Sequence, residues 1–350
     1  MTSYHTLIAP TGNGLLEAAL HDKLHKRSQF TGELGELEPL AVRIGLIQNS
    51  LKPSFRDPQI VVFAADHGIA VEGVGAGERH STSELVQALL SSRMPLGVFA
   101  RIQGLALSVV DAGIADAVEP HPRLLARKIA HGTRHARVAS AMSLDQAHAA
   151  IRAGMEIGDA LPGNAVICSG VGVGSSQVAA LILSRLSRVP VREFIDFPET
   201  ATGPDAAHLL AVLEGTSTRH KDAADAVEVL AAFGGFEIAM MVGLMMVAAG
   251  KRHLLLVDGL AACAALVIAS HIAPTVVDYC VFCRSHAHSG LDRAMALFQA
   301  SALLELGMDS VDGTGGTLAW PLVRSAAALL TEVADGDEPG PTLPGDLLRG

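Results

Sequence analysis

Aromatic residues are scarce in this chain, 4% against 49% hydrophobic overall, so its core must be filled by Ala, Val and Leu packed closely between layers. Positive charge is also in short supply. A formal net charge of −10 excludes a general binder of phosphate backbones, which needs clustered Lys and Arg to displace counterions. Long uninterrupted apolar runs are missing too. The most apolar region, residues 236–272, is cut by Glu237, by Lys251-Arg252-His253 and by Asp258 into pieces shorter than the roughly 18–20 residues a membrane span needs. It reads as buried core. Four cysteines in 350 residues give no disulfide framework and suit a reducing cytoplasm. The opening MTSYHTLIAPTGNG has neither a basic leader nor an apolar run, so no secretory signal is expected.

What is present is a recurring unit. Short β-rich apolar runs end in a small or acidic residue beside glycine: IVVFAADHG (60–68), LSVVDAG (107–113), AVICSGVGVG (165–174) and HLLLVDG (253–259). Ala- and Leu-rich helical stretches lie between them, at 83–103, 143–161, 176–186 and 261–272. Strands written as continuous apolar runs are buried on both faces, which predicts an open, mainly parallel α/β sheet with helices on both sides. Ligands of such sheets sit outside the carboxyl ends of the strands. Asp66-His67-Gly68, Asp111, Ser169–Gly174 and Asp258-Gly259 should gather there. One α/β domain is expected over 1–334 with a helical N-terminal part and a small helical subdomain from the chain ends, and the Pro-, Gly- and acid-rich composition of 335–350 reads as a loosely held tail.

Five segments carry candidate chemistry. GVGVGSS (170–176) runs from a strand into the helix VAALILSRL, so its amides could cradle an anion or simply form a tight turn; it matches neither a Walker A loop nor the dinucleotide spacing. CVFCRSHAH (280–288) offers Cys280, Cys283, His286 and His288, the residue types of a zinc site. All four fall within nine residues, however, whereas structural sites draw their second pair from further away, so no metal is expected. ADHGIAVEG (65–73) sets Asp66, His67 and Glu72 on a loop after a strand, as a site or as a capped turn. In GGFEIAMM (234–241), Glu237 reads as a helix-start acid favoured by the macrodipole. In DSVDGTGGTLAWPL (309–322), Asp312 stands at the lip of a glycine-rich turn, as catalyst or turn former.

Six stretches, DHGIAVEGV (66–74), VVDAGI (109–114), GVGVGSS, GGFEIA (234–239), VDGLAACAALVIA (257–269) and DGTGGTLAWPLVRSAAALL (312–330), together resemble nicotinate-nucleotide:dimethylbenzimidazole phosphoribosyltransferases in order and spacing from about residue 30 to 334. The resemblance implies a Rossmann-like sheet and a homodimer in the cytoplasm. It also implies small-molecule base and nucleotide substrates, with no cofactor and no nucleic-acid or membrane partner. The implied reaction moves ribose phosphate from nicotinate mononucleotide to dimethylbenzimidazole, in the assembly of cobalamin's lower nucleotide loop.

The family's general base is a Glu in a pattern like G-E-G-[ST]-G, and the matching residue is Asp312, a side chain shorter by about one C–C bond, ~1.5 Å. Binding residues implied by the match are Asp66, His67, Gly68 and Glu72 in the first loop, and Gly172, Gly174, Ser175 and Ser176 in the second. Asp258, Gly313, Thr314 and Gly315 follow, and Glu84 and Asp309 complete the set at positions where the residue type differs. The chain also departs from the pattern. A second family acid falls on Gly170, the Gln of the base pocket on Glu84, and the Ser-Ala-Tyr-Pro-like stretch on Gly75-Ala76-Gly77-Glu78. The phosphate-binding Arg and Lys fall on Asp309 and Leu209, replacing a charge-assisted contact by repulsion at the first. These changes keep two alternatives open: a donor without the usual phosphate, or a base- or nucleotide-binding protein without catalysis.

Overall fold

The computed structural model describes residues 8–73, 80–196 and 203–333, so Gly75–Glu78 and the 335–350 tail lie outside the described residues. The chain forms two compact units. The smaller, Thr11–Phe55 with Pro321–Gly350, contains helices α1 (Gly14–Thr31) and α2 (Leu37–Gln48). Asn13 caps α1 by accepting from the Leu16 amide, and α2 stops at Asn49, whose left-handed conformation at φ 49° is one Asn tolerates well.

The larger unit, Met1–Pro10 with Arg56–Trp320, is built on six parallel strands. They are β1 (Gln59–Ala65), β2 (Ala106–Gly113), β3 (Leu124–Ala126), β4 (Ala165–Val171), β5 (Leu254–Asp258) and β6 (Cys280–Cys283). Every residue of β1, β4, β5 and β6 is buried, as continuous apolar runs require. The strand order is β3-β2-β1-β4-β5-β6, the doubly wound arrangement in which the chain reverses its direction of travel across the sheet between β1 and β4. Connections leave these two neighbours in opposite directions, opening a crevice beyond their carboxyl ends.

Helices α3 (Thr82–Leu90), α4 (Pro95–Gln103), α5 (Leu144–Ala160), α6 (Ser175–Ser187), α7 (Gly203–Arg219), α8 (Ala226–Phe233), α9 (Phe236–Gly250), α10 (Leu260–Ile272) and α11 (Ser289–Ala296) follow in chain order, and α12 (Thr314–Thr331) closes the series. The scarcity of aromatics has a direct structural counterpart at α5 and α9. A Cβ added to Gly154 would lie 1.9 Å from the Met240 carbonyl oxygen, and one on Gly243 would lie 2.0 Å from that of Ile151, so the two backbones touch. No helix among the described residues is long and apolar enough to cross a membrane.

Candidate active site

The first cluster forms where β1 and β4 separate. A Cβ on Gly172 would lie 1.8 Å from the Ala65 carbonyl oxygen, so only glycine lets the two strand ends run this close. Asp66 ties the junction together: its carboxylate accepts from the Thr82 hydroxyl and, at 2.7 Å, from the Ala115 amide. Thr82 Oγ1 in turn accepts from the Val173 amide at 3.0 Å. The start of α3 is thereby fastened to both strands. Gly68 donates its amide to Thr133 Oγ1 at 3.2 Å.

His67 and Glu237 are wholly buried, with Nε2 2.9 Å from Oε1. The same oxygen accepts from Ser175 Oγ at 3.1 Å, at the first residue of α6. A carboxylate removed from water needs a donor or a counter-charge: the Ser175 hydroxyl donates to it and the His67 imidazole lies against it. Glu237 is thus more than a helix-start acid: it joins α9 to the strand ends. The signal was available in FEIAMMVGLMMVAAG, where a single acid opens a helix that is otherwise apolar all round. Gly170, which stands where the family pattern has an acid, faces the same place: a Cβ there would lie 2.8 Å from Met241 Cε and 3.5 Å from Glu237 Cγ.

The second cluster grows from Asp258 at the end of β5. Its Oδ2 accepts from Ser285 Oγ at 2.8 Å, the Gly313 amide at 3.0 Å and the Gly316 amide at 2.8 Å. Ser285 Oγ also accepts from the Gly315 amide at 2.9 Å, and Thr314 Oγ1 donates to the Val311 carbonyl at 2.7 Å. The free amides at the start of α12 are therefore taken by a buried acid and its serine, which fixes the turn carrying Asp312. Burial raises the Asp258 carboxyl, with those hydrogen bonds opposing.

Asp312 packs against Gly259, whose φ is +98° and whose hypothetical Cβ would lie 1.9 Å from Asp312 Oδ2. No L side chain fits there. Asp312 Oδ1 faces His286 Nδ1 at 3.5 Å, and the side chain keeps 13% exposure. Burial pushes the Asp312 carboxyl up to about 7; the His286 imidazole pulls against this and the Asp258 charge adds to it. A carboxyl poised near neutrality in a strand-end crevice has the properties of a general base. β4 lies beside both clusters: the buried Ser169 hydroxyl is 3.0 Å from the Cβ position of Gly313, and the neighbouring Gly170 faces Glu237.

Of the residues singled out in the sequence, Asp66, His67, Gly68, Gly172, Gly174 and Ser175 gather in the first cluster, and Asp258, Asp312, Gly313, Thr314 and Gly315 in the second. Others stand apart. Both carboxylate oxygens of Glu72 are engaged, with His135 Nε2 and Arg137 Nη1 at 2.9 Å each. Glu84 is the N3 acid of a capping box with Ser81 on α3, two-thirds exposed, its carboxyl held below the usual range by the Ser81 amide. Ser176 and Asp309 are exposed, and Leu209 is half-buried on α7. Cys280 and Cys283 lie in β6, three residues apart, with Cys280 Sγ donating to the Val276 carbonyl, and burial raises the Cys283 thiol. His288 caps α11 by accepting from the Leu291 amide at 3.2 Å. Among the described residues no three metal-ligating side chains converge. Ser285 and the pairing of His286 with Asp312 were not anticipated, because only the order of the strands brings β6 beside β5.

An open doubly wound parallel sheet with a buried carboxyl network at its carboxyl edge defines an α/β enzyme of the nucleotide-handling kind. A sequence profile of the phosphoribosyltransferase family matches residues 10–340, and the chain belongs to that family. It is 42% identical over 326 residues to a nicotinate-nucleotide–dimethylbenzimidazole phosphoribosyltransferase of Cupriavidus taiwanensis, covering 91% of this chain and 92% of that one. An enzyme of the same name from Dechloromonas aromatica is 39% identical over 349 residues, covering 97% and 99%. The crystal structure of the corresponding enzyme of Thermus thermophilus matches the fold with a TM-score of 0.85 at 26% identity, over 93% of this chain and 97% of that one.

Proposed function

We propose that the protein transfers the phosphoribosyl group of nicotinate mononucleotide to dimethylbenzimidazole or a closely related base, with Asp312 as general base. One ring nitrogen of the base attacks the anomeric carbon. The bond from that carbon to the pyridinium nitrogen breaks, its electron pair leaves with nicotinate, and the proton on the other ring nitrogen passes to the Asp312 carboxylate. The product is α-ribazole phosphate. The pyridinium is already a good leaving group, so positioning and one base suffice. The observation that carries the reading is the fixed turn holding Asp312 with its carboxyl at about 7. Gly172, Gly174, Ser175 and Gly313–Gly315 form the substrate cradle in this reading. The test is a product assay with both substrates. Substantial α-ribazole phosphate from the wild type, and a loss of at least about a hundredfold in Asp312→Ala, is expected for removal of a general base; unchanged turnover in the variant refutes the assignment.

A second reading rests on Asp309 and Leu209, which put no cation where the family pattern has two. The donor is then a nucleoside without the phosphate. Tighter binding of nicotinate mononucleotide than of nicotinate riboside contradicts it. The protein acts in this proposal as a cytoplasmic twofold homodimer, the commonest closed assembly; a monomer by light scattering at assay concentration removes that part.

A further inference from the structure

Among the described residues, His286 is the imidazole that faces the proposed base, and the mechanism above leaves it without a role. It lies just beyond β6, which pairs in parallel with β5, so Ser285 and His286 follow the strand end next to that of Asp258. Its Nδ1 is 3.2 Å from the Ser310 carbonyl oxygen and 3.5 Å from Asp312 Oδ1. The Ser310 carbonyl can only accept, so this nitrogen carries a hydrogen. Its backbone is held by an antiparallel bridge to Asp309. The ring is therefore fixed against the carboxylate from two sides while keeping 26% exposure.

The surroundings of Asp312 are otherwise hostile to a negative charge. Asp258 on β5 is buried beside it, and Cys263 on α10 lies close enough to feel both acids. Among the charged and titratable groups acting on Asp312, only His286 favours ionisation. The imidazole in turn is bordered by Asp309 and by His288, whose ring centroid is 5.9 Å away. Asp196, Asp292 and Arg284 act on His288 in turn.

We infer that His286 is a positioning residue for the phosphoribosyl transfer proposed above, sharing one proton with Asp312 so that the shortened acid is ionised when the acceptor base arrives. The inference rests on that reading of the reaction. Of the two one-proton states of the pair, carboxylate with imidazolium is the competent one, and carboxylic acid with neutral imidazole is idle. Geometry supports the division of labour. The imidazole is held by the Ser310 carbonyl and approaches Asp312 through Oδ1, an oxygen buried from solvent, so what remains open of the carboxyl is left for substrate.

The test is kcat/KM against pH for the wild type, His286→Asn and His286→Lys. An opposite charge within 4–6 Å lowers a carboxyl by about 1–3 pH units, and partial exposure of the ring argues for the lower end. Asn removes the cation, so the acid limb should move up by about one pH unit and the rate at pH 6.5 should fall about tenfold, with most of the loss recovered at high pH. Lys keeps the cation and should restore the limb. A His286→Asn enzyme with the wild-type limb, whether its rate is unchanged or lowered equally at all pH, overturns the inference. A second measurement is independent of turnover: the NMR titration of His286, identified by its loss in His286→Asn. Its pKa stands above the ordinary value chiefly because of Asp312 and should drop in Asp312→Asn. An unchanged titration overturns the pair. If the wild type makes no product at any pH, the phosphoribosyl reading fails, while the NMR titration still decides whether the two groups are coupled.

Discussion

Replacing Asp312 by Asn should slow turnover sharply and, at alkaline pH, make the protein more stable. The carboxyl stands at about 7 in the folded chain against an ordinary 3.8. A raised folded pKa means that, between these values, the native state holds a proton which the unfolded chain has released. The stability from that proton is complete below about pH 4 and is lost as pH rises through about 7. Some three pH units at ~1.4 kcal/mol each set an upper bound of roughly 4 kcal/mol, and coupling to Asp258 and His286 brings the expectation to about 2–4. Asn copies the shape of the protonated acid and carries no charge. Unfolding free energies from urea titrations followed by circular dichroism should therefore favour Asp312→Asn by about 2–4 kcal/mol at pH 8.5 and differ by less than about 1 at pH 4.5, with equal slopes in denaturant. A variant less stable at pH 8.5, or a difference independent of pH, would refute the reasoning. The product assay should show a loss of at least about a hundredfold.

Three further perturbations probe the supports of the site. Gly259→Ala places a methyl group 1.9 Å from Asp312 Oδ2 at a φ of +98°, so the carboxyl must move; a shift of about 1 Å should cost about a hundredfold in kcat/KM with far-UV circular dichroism unchanged. Asp258→Ala strips the acceptor from Ser285, Gly313 and Gly316 together. At about 1–3 kcal/mol per orphaned donor the loss should exceed about 3 kcal/mol, and Asp258→Asn, which keeps one carbonyl oxygen, should lose less than half of that in urea unfolding. Glu237→Ala removes the buried acid that accepts from Ser175 and lies against His67; a cost of about 3–5 kcal/mol is expected against about 1 for Glu237→Gln, and equal urea midpoints for the two variants would show that the acid's charge contributes nothing.

Much of the fold was legible because a parallel sheet writes itself as apolar runs. The segments around 60–68, 107–113, 165–174 and 253–259 are β1, β2, β4 and β5, and the polar groups expected at their ends are there. Two strands were not legible. β3 has three residues and is partly exposed, so it leaves no run to see. β6, CVFC, was read through its cysteines as metal-site vocabulary, although residues three apart in a strand point to opposite faces and cannot grip one ion together. The supporting chemistry was hidden for a different reason. Ser285 and Asp258 are 27 residues apart and His67 and Glu237 are 170 apart, and neither distance in sequence suggests contact.

The same separation explains how the departures from the family pattern are tolerated. At the second acid position, Gly170 leaves room that Met241 Cε and the Glu237 side chain fill from α9, so a carboxylate restored at 170 would meet both a methyl group and a like charge. At position 312, where we propose the general base, the shorter acid is backed by the imidazole of His286 on a different strand end. In each case the compensating side chain comes from another element arriving at the same edge of the sheet. A change at one strand end in such a fold is answered by its spatial neighbours rather than by its neighbours in sequence. Reading Asp312 alone as a weakened base therefore leaves out His286, the group that favours its ionised form.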